Sequence, residues 1–357
     1  MSKTLKIGFV FGTRPEGIKL APVIEALQGS DKVDVVVINT GQHQEILDQV
    51  LDSFSIRIDE ILSVMQPNQS LSELSQRLLE QLSPCYERHE LDWVVVQGDT
   101  SSTFIAGLAA YYSKIKVAHV EAGLRSHDHY FPFPEEMNRK LLSQIADIHF
   151  APTDQAVQNL VDEGVASERI YKVGNTVVDA LQTLVSGMER KDKPQIPGFT
   201  FESPSILITC HRRENIGAPF QRICRAILSL AEQYPEYQFI YPVHPNPKIR
   251  SIARDTLVAK NIILCEPLSY PDLIQVMAHS TLILTDSGGI QEEAPSLNTP
   301  VLVLREVTER QEGIDSGCAK LLGSDTDAIV STVIELLNDR SAYEIMKRAK
   351  NPYGDGT

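Results

Sequence analysis

Acidic side chains end two consecutive strand-like segments in the first half of the chain. Asp99 closes the segment VVVQGD, and Glu121 closes VAHVE. Carboxyl ends of parallel strands meet at one edge of a sheet, so both carboxylates are expected to reach the same ligand crevice. Crowded carboxylates raise one another's pKa, which suits proton transfer near neutral pH. The alternative for Asp99 is helix capping, because Thr100–Thr103 is a hydroxyl-rich helix start.

Two further acids follow the segment PFP, where they open a helix that carries Arg139. Glu135 and Glu136 either complement the helix dipole or join the catalytic acids. The nearby motif HDH at 127–129 offers two imidazoles, whereas a metal needs three or four ligands. We interpret this motif as a polar loop and predict no metal site.

The first strand runs into Gly12–Lys19, a near match to a phosphate-binding loop. Lys19 stands one place late, and Leu20 occupies the position of the magnesium-binding Ser or Thr. The chain has no G-x-G-x-x-G, so a nicotinamide cofactor is not supported. Arg14 and Lys19 nevertheless place two cations near a helix N-terminus, where anions are favoured. A tight strand-to-helix turn is the alternative.

In the second half, a strand ends in the segment CHRREN at 210–215. Cys210 continues an apolar segment and is interpreted as a buried thiol rather than a nucleophile. His211 and the arginines beside it predict an anion clamp at a sheet edge, with a structural histidine as the alternative.

A second strand end, TDSGGIQEE at 285–293, carries the most specific local pattern. Backbone N–H groups after Ser287 and the helix dipole can hold a diphosphate. Glu292 and Glu293 follow one turn later, where a carboxylate can accept both hydroxyls of a ribose, and Arg310 adds a cation. The pattern predicts a bound nucleotide diphosphate.

Short β-branched segments alternate with amphipathic helical ones almost throughout, which predicts two doubly wound parallel-sheet α/β domains. We predict an N-terminal Rossmann-like domain over 1–171 that carries the carboxylates, and a C-terminal nucleotide-binding domain over 172–357, the two facing a cleft. The predicted strands are Leu5–Phe11, Asp34–Asn39, Trp93–Gln97, Lys116–Val120, Ile148–Ala151, Ile170–Val173, Ser205–Thr209, Gln238–Pro242, Ile262–Cys265, Leu282–Thr285, Val301–Leu304 and Ala319–Leu322.

Composition excludes several classes of protein. The net charge of −14 argues against a nucleic-acid-binding surface. No apolar stretch approaches the roughly 20 residues that span a bilayer, and no signal peptide is apparent. Five cysteines without a CxxC pair favour free thiols in a reducing compartment, so we predict a cytoplasmic protein.

The motifs together resemble the non-hydrolysing UDP-N-acetylglucosamine 2-epimerases. The matching segments occur in order over nearly the whole chain: FGTRPEGIKLAPV, GQHQEILDQVL, QGDTSSTF, HVEAGLRS, PFPEEMNRKL, HRREN, DSGGIQEEAPSL, TERQE and NPYGDG. The resemblance implies a glycosyltransferase-B-like fold, a homodimer, no metal or redox cofactor, and interconversion of UDP-N-acetylglucosamine and UDP-N-acetylmannosamine for cell-surface polysaccharides.

The resemblance also implies roles for individual residues. It implies catalytic roles for Asp99, Glu121, Glu135 and His211. The implied UDP-binding residues are Arg14, Lys19, Ser287, Gly288, Gly289, Glu293 and Arg310. A second UDP-N-acetylglucosamine molecule is implied as an allosteric activator, with Gln42, Gln69, Glu136, Arg212 and His244 matching its site.

The chain departs from the family pattern at Gly17, Cys210 and Leu268, which leaves open a further modified UDP-2-acetamido sugar. A hydrolysing 2-epimerase and a glycosyltransferase of the same fold are also left open. Family members usually continue with one more helix that returns to the first domain, and this sequence stops before it.

Overall fold

The computed structural model describes residues 4–41, 51, 54–66, 68–187 and 193–356. The chain forms two compact units, one of Met1–Leu184 with Tyr353–Thr357 and one of Val185–Pro352. The predicted boundary at 171/172 therefore differs from the observed one. Strand pairing and the buried face of the next helix keep the chain in the first unit as far as Leu184, and the chain returns there at Tyr353.

Within the described residues, the first unit contains a seven-stranded, wholly parallel sheet. Its order is β3-β2-β1-β4-β5-β6-β7. The strands are β1 (Leu5–Phe11), β2 (Val33–Asn39), β3 (Glu60–Ile61), β4 (Trp93–Gln97), β5 (Lys116–Val120), β6 (Ile148–Ala151) and β7 (Ile170–Lys172).

The helices of the first unit connect these strands and cover the sheet. They are α1 (Arg14–Gln28), α2 (Leu71–His89), α3 (Ser101–Tyr112), α4 (Glu135–Ile145), α5 (Asp154–Asp162) and α6 (Thr176–Gly187). Helix α3 packs against both α2 and α4. The central strands are buried on both faces, which explains their nearly unbroken apolar sequences.

The described part of the second unit repeats this topology with six parallel strands in the order β10-β9-β8-β11-β12-β13. The strands are β8 (Ser205–Thr209), β9 (Gln238–Pro242), β10 (Ile262–Cys265), β11 (Leu282–Thr285), β12 (Val301–Val303) and β13 (Ala319–Leu321). The helices are α7 (Ala218–Gln233), α8 (Pro247–Thr256), α9 (Tyr270–His279), α10 (Gly288–Glu293), α11 (Gln311–Asp315), α12 (Thr326–Asn338) and α13 (Arg340–Lys347).

Each sheet has a switch point, where successive strands are added on opposite sides of its first strand. In the first unit it lies between β1 and β4, and in the second between β8 and β11. Ligands of open α/β sheets bind outside the carboxyl ends of the strands at this position. The segments at 12–19 and 98–103 flank one switch point, and those at 210–215 and 286–293 flank the other.

The fold confirms two Rossmann-like parallel-sheet domains. None of the described helices combines the length and apolar character that a membrane span requires. All five cysteines are free thiols, four of them buried and Cys265 half-buried.

Two buried histidines lie side by side in the first sheet. His119 and His149 occupy paired positions on β5 and β6, and both are almost inaccessible to solvent. Burial lowers the pKa of His119 to about 3 and that of His149 to about 4. Both imidazoles are therefore neutral in the folded chain above these values, whereas an unfolded chain protonates them near pH 6.5.

This difference predicts acid sensitivity of the fold. Between about pH 6.5 and the lowered pKa values, the unfolded state binds more protons than the folded state. The free energy of unfolding therefore decreases as the pH decreases. We expect the two histidines to remove about 2 kcal/mol each from the free energy of unfolding between pH 7 and pH 5. In His149→Leu this pH-dependent loss should shrink by about 2 kcal/mol in urea titrations. A variant that replaces the exposed His129 is the control. An equal pH dependence of the free energy of unfolding in the native protein and both variants would contradict the role of the buried histidines.

Candidate active site

A buried carboxylate joins the two loops at the switch point of the first unit. Glu16 lies in the first turn of α1 and accepts hydrogen bonds from the Gly12 and Thr13 amides at 2.7 and 2.8 Å. Its other oxygen accepts from the hydroxyls of Thr100 and Thr103, at 2.5 and 2.8 Å. The loop that follows β1 is thereby fixed to the loop that follows β4.

Asp99 lies in the second of these loops and is held by α4. Both Nε and Nη2 of Arg139 donate to Asp99 Oδ2, at 2.8 and 2.6 Å. The Asn138 side chain donates to the backbone carbonyl of Asp99 at 2.8 Å. Helix α3 starts at Ser101 with Thr100 as its N-cap, so the alternative role of Asp99 as the cap is wrong. Its partly exposed carboxylate is fixed in orientation at the sheet edge.

Glu121 directly follows β5 and has a left-handed backbone conformation with φ of +65°. This conformation is strained for a residue other than glycine, by roughly 1–3 kcal/mol. The carboxylate is nearly buried, forms an ion pair with the Lys19 ammonium, and accepts a hydrogen bond from the Asn175 side chain at 2.9 Å. The backbone amide of Asn175 in turn donates a hydrogen bond to the backbone carbonyl of Tyr353 at 2.7 Å. Surrounding contacts thus hold a strained acid in place.

Glu135 and Glu136 open α4, as the sequence predicts, but their environments differ. Glu136 is fully buried, contacts Arg139 at 3.1 Å, and accepts hydrogen bonds from the amides of Ser126 and His127. Glu135 is half-buried, and no described residue forms a hydrogen bond or ion pair with its carboxylate. Glu136 therefore stabilises the 126–127 loop.

In the second unit, Asp286 joins the two loops at the switch point. It follows β11, is fully buried, and accepts hydrogen bonds from the amides of His211 and Arg212 at 2.9 Å. The Asn215 amide group and the Cys210 thiol donate to the same carboxylate, at 2.9 and 3.2 Å. Burial, followed by the charge of Asp286, holds the pKa of Cys210 well above its usual range, so this thiol is not a nucleophile.

The same aspartate orients His211. Its Oδ1 lies 3.6 Å from His211 Nδ1, and the ring is partly exposed. The imidazole of His244, which follows β9, stacks on His211 with ring centroids 5.5 Å apart and planes inclined by 10°. The structure thus places a predicted activator-binding residue directly against a predicted catalytic one.

The Ser-Gly-Gly segment that starts α10 is covered by Arg310. A Cβ at Gly288 would lie 2.8 Å from the guanidinium carbon of Arg310, so a side chain there would displace the guanidinium. Glu292 accepts from Arg310 Nε and Nη2 at 3.0 and 2.9 Å, and Glu309 accepts from Nη1 at 3.3 Å. The guanidinium is therefore held rigidly beside the predicted diphosphate-binding turn.

Glu309 is the charged centre of this group. Although burial opposes the shift, the guanidinium groups of Arg310 and Arg305 lower the pKa of Glu309 to about 2. The carboxylate is consequently ionised at neutral pH and fixes both arginines.

The remaining predicted residues in the described segments are Gln69, Arg14 and Glu293. Gln69 precedes α2. Its side-chain oxygen Oε1 accepts hydrogen bonds from Arg77 Nη1 at 2.6 Å and from the backbone amide of Gln66. Arg14 is the first residue of α1 and is half-buried. Glu293 is buried on α10. Gln42 lies outside the described residues.

Sequence reasoning missed three residues that position the candidate acids and His211: Glu16, Asn175 and Asp286. Glu16 and Asp286 lie inside recognised motifs, so an acid next to a glycine-rich turn was the available signal. Asn175 had none, because its partner Glu121 is 54 residues away.

The described geometry can be compared with known proteins. The sequence model of the family described as UDP-N-acetylglucosamine 2-epimerase matches residues 25–357. The UDP-N-acetylglucosamine 2-epimerase of Salmonella typhimurium is 47% identical over 359 residues, which cover 99% of this chain and 96% of the relative. The Bacillus subtilis enzyme of the same name is 45% identical, with 99% of this chain and 93% of the relative covered.

Solved structures give the same result. A crystal structure of UDP-GlcNAc 2-epimerase from Neisseria meningitidis bound to UDP-GlcNAc superposes with a TM-score of 0.94 at 45% identity, covering 99% and 96% of the two chains. The Methanocaldococcus jannaschii UDP-GlcNAc 2-epimerase in complex with UDP-GlcNAc and UDP gives 0.83 at 34% identity, with 99% and 96% covered.

The role of Glu16 can be measured as stability. We expect Glu16→Gln to lower the free energy of unfolding by roughly 2–3 kcal/mol, because four donors, two of them buried, lose a charged acceptor. Thr103→Val, which removes one of the four donors, should show a smaller loss in the same direction. Glu25→Gln on the exposed face of α1 is the matched control for urea unfolding. Equal stability of the Glu16 and Glu25 variants would contradict this role.

Proposed function

The chain belongs to the UDP-N-acetylglucosamine 2-epimerase family, and we propose that it interconverts UDP-N-acetylglucosamine and UDP-N-acetylmannosamine. The observation that carries the proposal is the arrangement at the two switch points. Asp99 and Glu121 end neighbouring strands of the first unit, and a cationic, glycine-containing turn with His211 lies at the switch point of the second. The similarity to named epimerases over nearly the whole chain supports the same assignment.

The chemistry of the substrate explains why both kinds of group are needed. The hydrogen on C2 of the sugar is not next to a carbonyl, so direct removal would need an impossibly strong base. Breaking the bond between C1 and the diphosphate oxygen first creates an oxocarbenium-like centre, which acidifies that hydrogen. A carboxylate then removes the proton and leaves 2-acetamidoglucal beside UDP. Proton return to the opposite face and re-addition of UDP give the epimer.

We assign stabilisation of the departing UDP to residues of the second unit. Ser287 and Gly289 lie in the turn before α10, where backbone amides suit a diphosphate. Arg310 adds a fixed cation, and Glu293 is assigned to the ribose. His211, oriented by Asp286, is assigned to the developing charge on the leaving diphosphate. Their rigid contacts favour electrostatic stabilisation without rearrangement during the reaction.

We assign the proton transfers to residues of the first unit. Asp99 and Glu121 handle the protons at C2, and Glu135 assists them. The ammonium of Lys19 contacts Glu121, so we extend its assigned role from UDP binding to holding this acid. Arg14, half-buried at the start of α1, is assigned to UDP.

Proton NMR of the protein with UDP-N-acetylglucosamine in heavy water tests this function. We expect a second anomeric signal together with deuterium at C2 of both sugars. Free sugar with stoichiometric UDP would favour the hydrolysing alternative. A glycosyltransferase would leave C2 unlabelled, and an enzyme for a further modified UDP-2-acetamido sugar would leave this substrate unchanged.

The same assay tests the role of Glu121. We expect Glu121→Gln to reduce epimer formation at least about 100-fold, because acid–base groups contribute about 10²–10⁴ to rate. Its affinity for UDP, measured by calorimetry, should change less than about threefold, since UDP is assigned to other residues. Glu25→Gln provides the matched control. An unimpaired Glu121→Gln enzyme would remove this residue from the mechanism.

We also propose that UDP-N-acetylglucosamine activates the enzyme and that the enzyme is a homodimer. The stacking of His244 on His211 supports activation, because a ligand held by His244 can fix the catalytic ring. The family resemblance implies Gln42, Gln69, Glu136 and Arg212 as further activator contacts. The free thiols suit a reducing compartment, so we assign the enzyme to the cytoplasm, where it supplies cell-surface polysaccharide synthesis.

Activation predicts sigmoidal kinetics in UDP-N-acetylglucosamine, with a Hill coefficient above 1. We expect His244→Ala to give a hyperbolic curve, because the activator loses its contact with the His211 ring. His279→Gln, in the same unit, is the control: this ring contacts Ser203, Phe199 and Phe201 instead. A hyperbolic curve for the unaltered enzyme would refute activation, and sigmoidal kinetics retained in His244→Ala would exclude His244 from it.

A further inference from the structure

Three side chains of different chemistry converge in the first unit, away from the candidate acids. Glu60 belongs to the short edge strand β3, and Cys85 and His89 lie four residues apart on α2. Positions i and i+4 share one face of a helix, so both α2 side chains are directed to the same place. One carboxylate oxygen, the thiol sulfur and one imidazole nitrogen lie within 4.8 Å of one another.

The contacts within this cluster leave a donor set suited to a metal. His89 Nε2 lies 3.2 Å from Glu60 Oε2. Cys85 is fully buried on the inner side of the cluster, whereas the side chains of Glu60 and His89 are each 26% exposed. In the described ranges of the chain, this is the only such group of three potential ligands. The partly exposed side chains of Glu60 and His89 give an ion access from solvent.

We propose that Glu60, Cys85 and His89 form a zinc site. Thiolate, imidazole and carboxylate together match the preference of Zn²⁺, which binds them at about 2.0–2.3 Å in tetrahedral geometry. On binding, the thiol proton is released to solvent, and one zinc ion replaces the hydrogen bond between His89 and Glu60.

The site would fasten an edge strand to a helix. β3 has two residues and pairs only with β2 among the described strands, whereas α2 packs on the core through a row of buried leucines. Three strands, β2, β1 and β4, separate β3 from β5, which is followed directly by Glu121. The proposed site is therefore structural and independent of the epimerisation proposed above.

Arg88 provides a sensitive test of the electrostatics. Its Nη2 contacts the second oxygen of Glu60 at 2.7 Å, so its positive charge lies beside the place where the ion would bind. If zinc binds there, removing this cation must strengthen binding. The zinc affinity of a surface site elsewhere would not change when Arg88 is replaced.

The experiment is zinc titration of the dialysed full-length protein against a chromogenic chelator. We expect one equivalent per chain, with affinity lowered at least about tenfold in Cys85→Ser and His89→Gln and raised in Arg88→Gln. Cobalt as a probe should give the near-ultraviolet absorption band of a thiolate–cobalt bond in the native protein and none in Cys85→Ser. Zinc should raise the thermal unfolding midpoint of the native protein.

Cys265→Ser and His279→Gln are the matched controls, since each removes the same donor type elsewhere. Zinc affinity equal in Cys85→Ser and the native protein would overturn the proposal. So would absence of one-equivalent binding, a cobalt band that persists in Cys85→Ser, or an affinity that falls in Arg88→Gln. None of these measurements depends on epimerase activity, so failure here leaves the proposed function untouched.

Discussion

In each unit, one buried carboxylate holds two backbone loops together at the switch point, where the order of strand addition reverses. Strands β1 and β4 lead into loops on opposite sides of the first sheet, and Glu16 accepts hydrogen bonds from both loops. Asp286 belongs to the loop after β11 and accepts hydrogen bonds from the loop after β8, so it also joins two loops. Without an acceptor, these buried donors would be costly, by about 1–3 kcal/mol each. The positions of Asp99 and His211 depend on these two carboxylates.

Rigid support also explains how charged side chains are kept in strained or crowded positions. Glu121 adopts a left-handed conformation that few side chains tolerate, yet Lys19 and Asn175 restrain its carboxylate. Arg310 is similarly restrained by Glu292 and Glu309. Groups that are already oriented cost little reorganisation when charge develops during a reaction. Stability and function therefore rest on the same ion pairs in both units.

Much of the fold follows from local sequence. The buried strands β4 and β8 are apolar on both faces, so their limits were predicted to the residue. β3 was missed because two residues carry no periodic pattern, and its pairing depends on β2. The predicted domain boundary precedes the observed one because the helix after β7 still packs within the first unit as far as Leu184.

Sequence could predict candidate residues that follow a strand. It could not predict contacts between side chains that are far apart in sequence. Asp99, Glu121 and His211 all follow central strands, and the parallel topology brings the carboxyl ends of such strands to one edge of a sheet. One such contact is the hydrogen bond between Asn175 and Glu121, and another is the cluster at Glu60. Both join segments far apart in sequence, which no motif spacing reveals.

The two units solve the same problem with acids at different positions: Glu16 follows the first strand of its sheet, and Asp286 follows the fourth. No sequence repeat therefore records their equivalence. The segment at 12–19 departs from the phosphate-loop motif at Lys19 and Leu20, and its acid accepts hydrogen bonds from the neighbouring loop. What the units share is a geometric requirement set by sheet topology, which different residues meet.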